Sequence, residues 1–200
     1  AFEREAIRPN IFGRFEDLLI AVESHPAMLN FLDNQLSIGP DSRAGKRRGR
    51  GLNENLAREI MELHTLGVSG GYTQGDVTSL ARIITGWTIV GRDARLGFPG
   101  SFAFNPGLHD PGGQTLLGKV YRQEGKEMGL AALADLARHP STASFIARKL
   151  ARHFVADEPP QALVAELARS FRETGGDLAV LSRTLVTSEL ALAAPATKLR

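Results

Sequence analysis

The chain has 200 residues, 42% of them hydrophobic, which is enough to bury one sizeable core, so a single compact unit over 1–200 is the expectation. Lys and Arg number 24 against 22 Asp and Glu, and the resulting net charge of +2 is too small by itself to mark a nucleic-acid or membrane partner. No cysteine is present, which excludes disulfides, thiolate metal sites and a cysteine nucleophile, and no apolar run approaches the roughly 18 residues of a membrane span.

Phe15, Leu18, Leu19 and Val22 recur at helical spacing, and Pro26 after His25 suits the first turn of a second helix carrying Met28, Phe31 and Leu32. Residues 37–52, SIGPDSRAGKRRGRGL, have no periodicity and many Gly and basic residues, which predicts an exposed basic loop. Asn53 then has the chemistry of an N-cap, Leu56, Ile60 and Leu63 share a stripe, and Gly67 supplies a left-handed stop. After Ser69-Gly70-Gly71, Thr73 and Asp76 have capping-box spacing, with Asp in the place of Glu. A helix through Leu80, Ala81 and Ile84 follows and ends near Gly86-Trp87, so the two segments form a helical hairpin.

Residues 88–125 break this pattern with many Gly and Pro and short alternating pieces such as Phe102-Ala103-Phe104; they predict a long insertion holding a short β-hairpin. Helical patterns return over Leu130 to Arg138 and in a segment with Ser141 as cap and Phe145, Ile146, Leu150 and Phe154 as its apolar face. Pro159-Pro160 restarts a helix through Leu163, Leu167 and Phe171, and Gly175-Gly176-Asp177 ends it and caps the next, through Leu178, Leu181 and Leu185. The expected fold is all-α, a multi-helical globular bundle of about seven helices with the insertion over one end of the hairpin.

On the Asn53 helix, about 100° per residue places Asn55, Glu59 and Glu62 in one sector with Arg58 beside them. Two readings stand there. In one, Glu59 and Glu62 share a cation or one serves as a base; in the other, a solvated face pairs Arg58 with Glu54 and Glu62 at four-residue spacing. His64 falls on the opposite side with Ile60 and Ala57, which reads as a core histidine donating to a backbone carbonyl. His109-Asp110 sits in a glycine-rich stretch: either Asp110 stabilises its own Asp-Pro-Gly turn, or His109 folds over the hairpin and joins Glu59 and Glu62 in a divalent metal site. Tyr72 and Trp87 flank the second helix and read as core or cap residues whose polar atoms find partners. Arg43, Lys46, Arg47, Arg48 and Arg50 put five positive charges in eight residues, a pattern that offers phosphate binding. No aromatic residue is interleaved for base stacking, so a solvated loop or an acidic partner is the favoured reading.

The run NENLAREIMELHTLGVSGGYTQGDVTSLARIITGW, Asn53 to Trp87, resembles the signature of the bacterial family catalogued as domain of unknown function eighteen-hundred. EREAIRP near the start, HPAML with LDN, FAF followed by HDPGGQTLLG, and HPSTASFIARKLARHFVADEPP agree with it, so the resemblance spans nearly the whole chain. It implies that the chain covers the central and C-terminal part of a longer protein, that it is exported to the periplasm or beyond as many members are, and, by association of neighbouring genes alone, that a sulfatase-like protein is a partner. It carries no established reaction. The leading expectation is therefore a helical accessory or binding protein acting beside a partner. Its recognition surface is built from the His109 loop, Asn53, Asn55, Arg58, His64, Tyr72, Trp87 and Asp110. The alternative is a metal-dependent hydrolase or oxidoreductase using Glu59, Glu62 and His109 with a divalent metal as cofactor; phosphate or nucleic-acid binding through 43–50 ranks third.

Overall fold

A computed structural model of the chain describes residues 1–48 and 51–193. In chain order these form α1 (Phe15–Glu23), α2 (Pro26–Phe31), α3 (Gly45–Arg48), α4 (Asn55–Glu59), α5 (Gln74–Ile83), strands β1 (Trp87–Ile89), β2 (Phe102–Phe104), β3 (Gln114–Leu116) and β4 (Lys119–Tyr121), then α6 (Lys126–Arg138), α7 (Pro140–Phe154), α8 (Gln161–Glu173), α9 (Leu178–Thr187) and α10 (Glu189–Leu192). Two wide, π-helical turns occupy Glu3–Ile7 and Ile60–His64. Helix dominates, as the apolar periodicity predicts, and the extra helices beyond the expected seven are segments of one or two turns.

Local chemistry sets most of the ends. His25 and His139 each precede a proline at the first helical position, and each imidazole Nδ1 accepts the amide two residues on, Ala27 and Ser141, at 3.1 Å. Proline has no amide to satisfy, so the ring nitrogen takes the next orphan donor of the helix end. The cap of α7 is thus His139, where the sequence pointed to Ser141; the Ser141 hydroxyl instead donates to the Gly70 carbonyl at 3.2 Å. Thr73 and Asp76 form the expected capping box at α5. Asp177 caps α9 through Val180, and Gly67 takes a left-handed conformation after the wide turn.

The core is one cluster. α7 packs along α8, α8 on α9, and α1 on α6, burying Leu19, Leu133, Leu136, Leu163, Leu167 and Phe171 together with Leu56, Ile60, Leu80 and Ile84 of the hairpin. Full burial of each large apolar side chain is worth about 1.5–3 kcal/mol, which is what holds helices of modest propensity together. No helix among the described residues is long and apolar enough to cross a membrane.

Two segments expected as loops are more ordered than composition suggests. Within 37–52, Ser37, Ile38, Gly39 and Ser42 are buried and Gly45–Arg48 is helical. The cause is tertiary: the Gly39 amide donates to the Leu108 carbonyl at 2.9 Å and the Ala44 amide to Gly107 at 3.0 Å. Gly39 permits this approach because a Cβ there would lie 2.6 Å from the Asp110 backbone. Within 88–125 there are two antiparallel hairpins, Trp87 to Ile89 against Phe104 to Phe102, and Gln114 to Leu116 against Tyr121 to Lys119. Asp76, the capping residue of α5, also accepts the Leu117 amide at 2.7 Å, so the second hairpin is pinned to the start of that helix. Trp87 opens β1 and does not close α5.

Candidate functional site

The signature helix does not stay α-helical. α4 runs for five residues and then widens over Ile60–His64, where hydrogen bonds of i to i+5 type advance each residue by less than 100°. Leu56, Ile60 and Met61 face the core while Leu63 is 48% exposed, against the stripe drawn at constant spacing. His64, five residues after Glu59, now stands one wide turn along from it and not on the opposite face.

Asn53 works as a clamp. Its side-chain oxygen accepts the Asn55 amide at 2.9 Å, and its side-chain nitrogen donates to the carbonyls of Leu32 and Asp33 at 3.2 and 3.3 Å. Asn55 itself is exposed. Arg58 donates to Glu54 at 3.3 Å and to Gln74 at 2.9 Å, while Glu54 also accepts from Gln74 and Thr78 at 2.8 and 2.7 Å. These bonds join α4 to the first turn of α5 and, led by the Thr78 hydroxyl, hold the Glu54 carboxyl below its ordinary value despite partial burial. Glu62 lies near the Tyr72 phenol; burial, and then that carboxylate, push the phenol upward. The four-residue pairing of Arg58 with Glu62 is replaced by these partners.

Beneath the helix lies a residue the motif reading passed over. Glu23, at the last turn of α1, is 0% exposed, and its Oε1 is 2.8 Å from His64 Nδ1. The two atoms are close but poorly aligned: neither Glu23 oxygen, nor His64 Nδ1, has a partner of hydrogen-bond geometry among the described residues. Burial raises the Glu23 carboxyl, His64 pulls it back, and the balance stays above the ordinary carboxylate value, with the nearby Glu59 charge adding to the rise. For His64 burial acts downward, yet Glu23 and then Glu59 outweigh it and the net shift is upward. His64 is therefore a half-buried partner of a carboxylate, not a donor to a carbonyl. A signal was present in the sequence: Phe15, Leu19 and Glu23 occupy i, i+4 and i+8, so a carboxylate sits on the apolar stripe of α1.

His109 is elsewhere. Its Nδ1 lies 2.9 Å from the Thr85 carbonyl and its ring packs edge-on against Phe104 at 5.2 Å. A carbonyl oxygen only accepts, so Nδ1 carries the proton and Nε2 is left without a partner among the described residues. His109 lines a pocket of about 680 Å³ with Pro111, Gly113, Arg122, Glu124 and Met128, and the Arg122 guanidinium there has no ion-pair partner among the described residues. Neither Glu59 nor Glu62 reaches this pocket. Among the described residues no three His, Asp or Glu side chains are grouped so as to hold a metal ion, so the expected set of Glu59, Glu62 and His109 is not assembled.

Asp110 does more than shape its own turn. It is 0% exposed, pairs with Arg82 at 2.6 Å, accepts the Asp41 amide at 2.8 Å, and donates its own amide to the Thr85 hydroxyl at 2.8 Å. One residue thereby ties α5, the 37–48 segment and the insertion together, and so fixes where His109 stands. Trp87 is 1% exposed, edge-on to Phe102, and its Nε1 finds no hydrogen-bond partner among the described residues. Arg43, Lys46 and Arg47 are exposed; Arg48 ends α3, and Arg50 lies outside the described residues.

The whole chain, residues 1–200, matches the family model described as protein of unknown function (DUF1800), and the chain belongs to that family. No curated protein and no solved structure matches it.

Proposed function

We propose that this member of the DUF1800 family is a helical binding protein that acts beside a partner and uses the His109 pocket as the centre of its recognition surface. The observation that supports this reading is the state of His109: one ring nitrogen is spent on the Thr85 carbonyl, which fixes the ring, and the other has no partner among the described residues, on a ring that lines an open pocket. A fixed imidazole with a free acceptor nitrogen recognises a hydrogen-bond donor, and Arg122 beside it recognises a carboxylate or sulfate oxygen. The insertion that carries both is held rigid by Asp110, Arg82 and Asp76, so little ordering entropy is lost on binding.

The partner favoured by the family resemblance is a sulfatase-like, exported protein. Titration calorimetry of that protein against the wild-type chain and against His109→Ala and Arg122→Glu tests the reading. We expect measurable affinity with the wild type and at least about a tenfold loss in each variant, the range that removal of one charged or hydrogen-bonded contact produces. Equal affinity in all three proteins would overturn it.

A further inference from the structure

We infer that Glu23 and His64, backed by Glu59, form a binding site for one divalent transition-metal cation beneath the signature helix. The site is separate from the His109 pocket, and either reading stands without the other.

Geometry carries the inference. Glu23 is fully buried, yet both of its oxygens and the facing His64 Nδ1 lack a hydrogen-bond partner among the described residues. Buried polar atoms are nearly always satisfied, and an unsatisfied carboxylate with one oxygen 2.8 Å from an unsatisfied ring nitrogen calls for a common partner. A plain ion pair would point the ring N–H at the carboxylate. Here Oε1 is 2.8 Å from Nδ1 but off the N–H axis. Their separation is close to that of two ligands of a single cation: donors about 2.1 Å from a metal and at right angles to each other are about 3.0 Å apart.

The backbone places the third charge. Glu59 begins the wide turn that ends at His64, and its carboxylate acts on both Glu23 and His64. Two carboxylates balance a dipositive ion. Two protein side chains hold the cation directly, Glu59 serves as the neighbouring counter-charge and water completes the shell, in keeping with the lack of any three-residue ligand group among the described residues. An imidazole with carboxylates suits Mn, Fe, Co or Zn better than Ca or Mg, which prefer all-oxygen shells. His64 is 27% exposed, which leaves a path for entry. Lys149 lies near enough to His64 to oppose its charge, and since it donates to the Leu63 carbonyl at 3.2 Å it is held to one side of the pair.

Titration of the chelator-treated protein with Co²⁺ tests this, with Ca²⁺ as the control. Expected are one Co²⁺ per chain, a rise in Tm with Co²⁺, and a paramagnetic shift of the His64 imidazole resonances ahead of those of the other four of the five histidines. Glu23→Gln and His64→Gln weaken Co²⁺ binding at least about tenfold, and Glu59→Gln weakens it less. If the His64 resonances of the wild type do not respond to Co²⁺, or if Glu23→Gln binds as tightly as the wild type, the inference is wrong. Should a variant fail to fold, the wild-type resonances decide. Ca²⁺ binding as tightly as Co²⁺ would also overturn it, because imidazole ligation would then be absent.

Discussion

Asp110→Ala probes the joint that places the pocket. The carboxylate is 0% exposed and takes two bonds, from Arg82 at 2.6 Å and from the Asp41 amide at 2.8 Å. Bonds involving a charged partner are worth about 1.5–3 kcal/mol each, which sets an upper figure near 6 kcal/mol. Two features of the surroundings reduce it. The Arg82 side chain is 30% exposed and keeps Asp41 at 3.2 Å, so it rehydrates in part, and the Asp41 side chain is 62% exposed, so its amide reaches water. About 2–4 kcal/mol remains, at or under the lower end of the 3–5 kcal/mol typical of splitting a deeply buried pair. Urea denaturation followed by circular dichroism should show a lower midpoint with an unchanged slope. Arg82→Ala should cost a similar amount because it leaves a buried carboxylate with fewer donors, and the double variant should cost less than the sum of the two. A loss below about 0.5 kcal/mol for Asp110→Ala, or strict additivity in the cycle, would mean that Asp110 serves only its own turn.

The Glu23 and His64 pair should leave a mark on stability against pH. Both groups bind their proton more tightly folded than unfolded, so their contribution is complete below the ordinary values of 4.5 and 6.5 and is lost as pH rises through the higher folded values. In metal-free protein the difference in Tm between wild type and Glu23→Gln should therefore fall from pH 4.5 upward; a difference that climbs with pH would contradict the assignment. Gly129→Ala should disturb the core at a point that reports itself, because the added Cβ would sit 2.5 Å from the ring of Trp87, the one tryptophan of the chain. Overpacking of this kind costs about 1–3 kcal/mol, and the fluorescence emission of Trp87 should shift with it; identical emission and stability would show that α6 and β1 part without strain.

The single core residue Glu23 illustrates what a linear reading misses and why. Its position on the stripe of Phe15 and Leu19 was legible, but its partner lies 41 residues away on a turn whose width no periodicity announces. A constant 100° step put His64 opposite Glu59; one wide turn brought them to the same side. Likewise the sequence around Asp110 describes an Asp-Pro-Gly turn accurately, yet the residue's bonds run to Asp41, Arg82 and Thr85, all distant in sequence.

Local chemistry was enough to determine the helical class, the capping box at Thr73 and Asp76, the left-handed stop at Gly67 and the hairpin-bearing insertion, because each depends on neighbours within a few residues. Folding alone decided that the 37–48 segment is stapled to the insertion, that His109 parts from Glu59 and Glu62, and that Glu23 meets His64. Those outcomes depend on which surfaces close over one another, and a buried charge takes its partner from whatever that closure brings within about 3 Å.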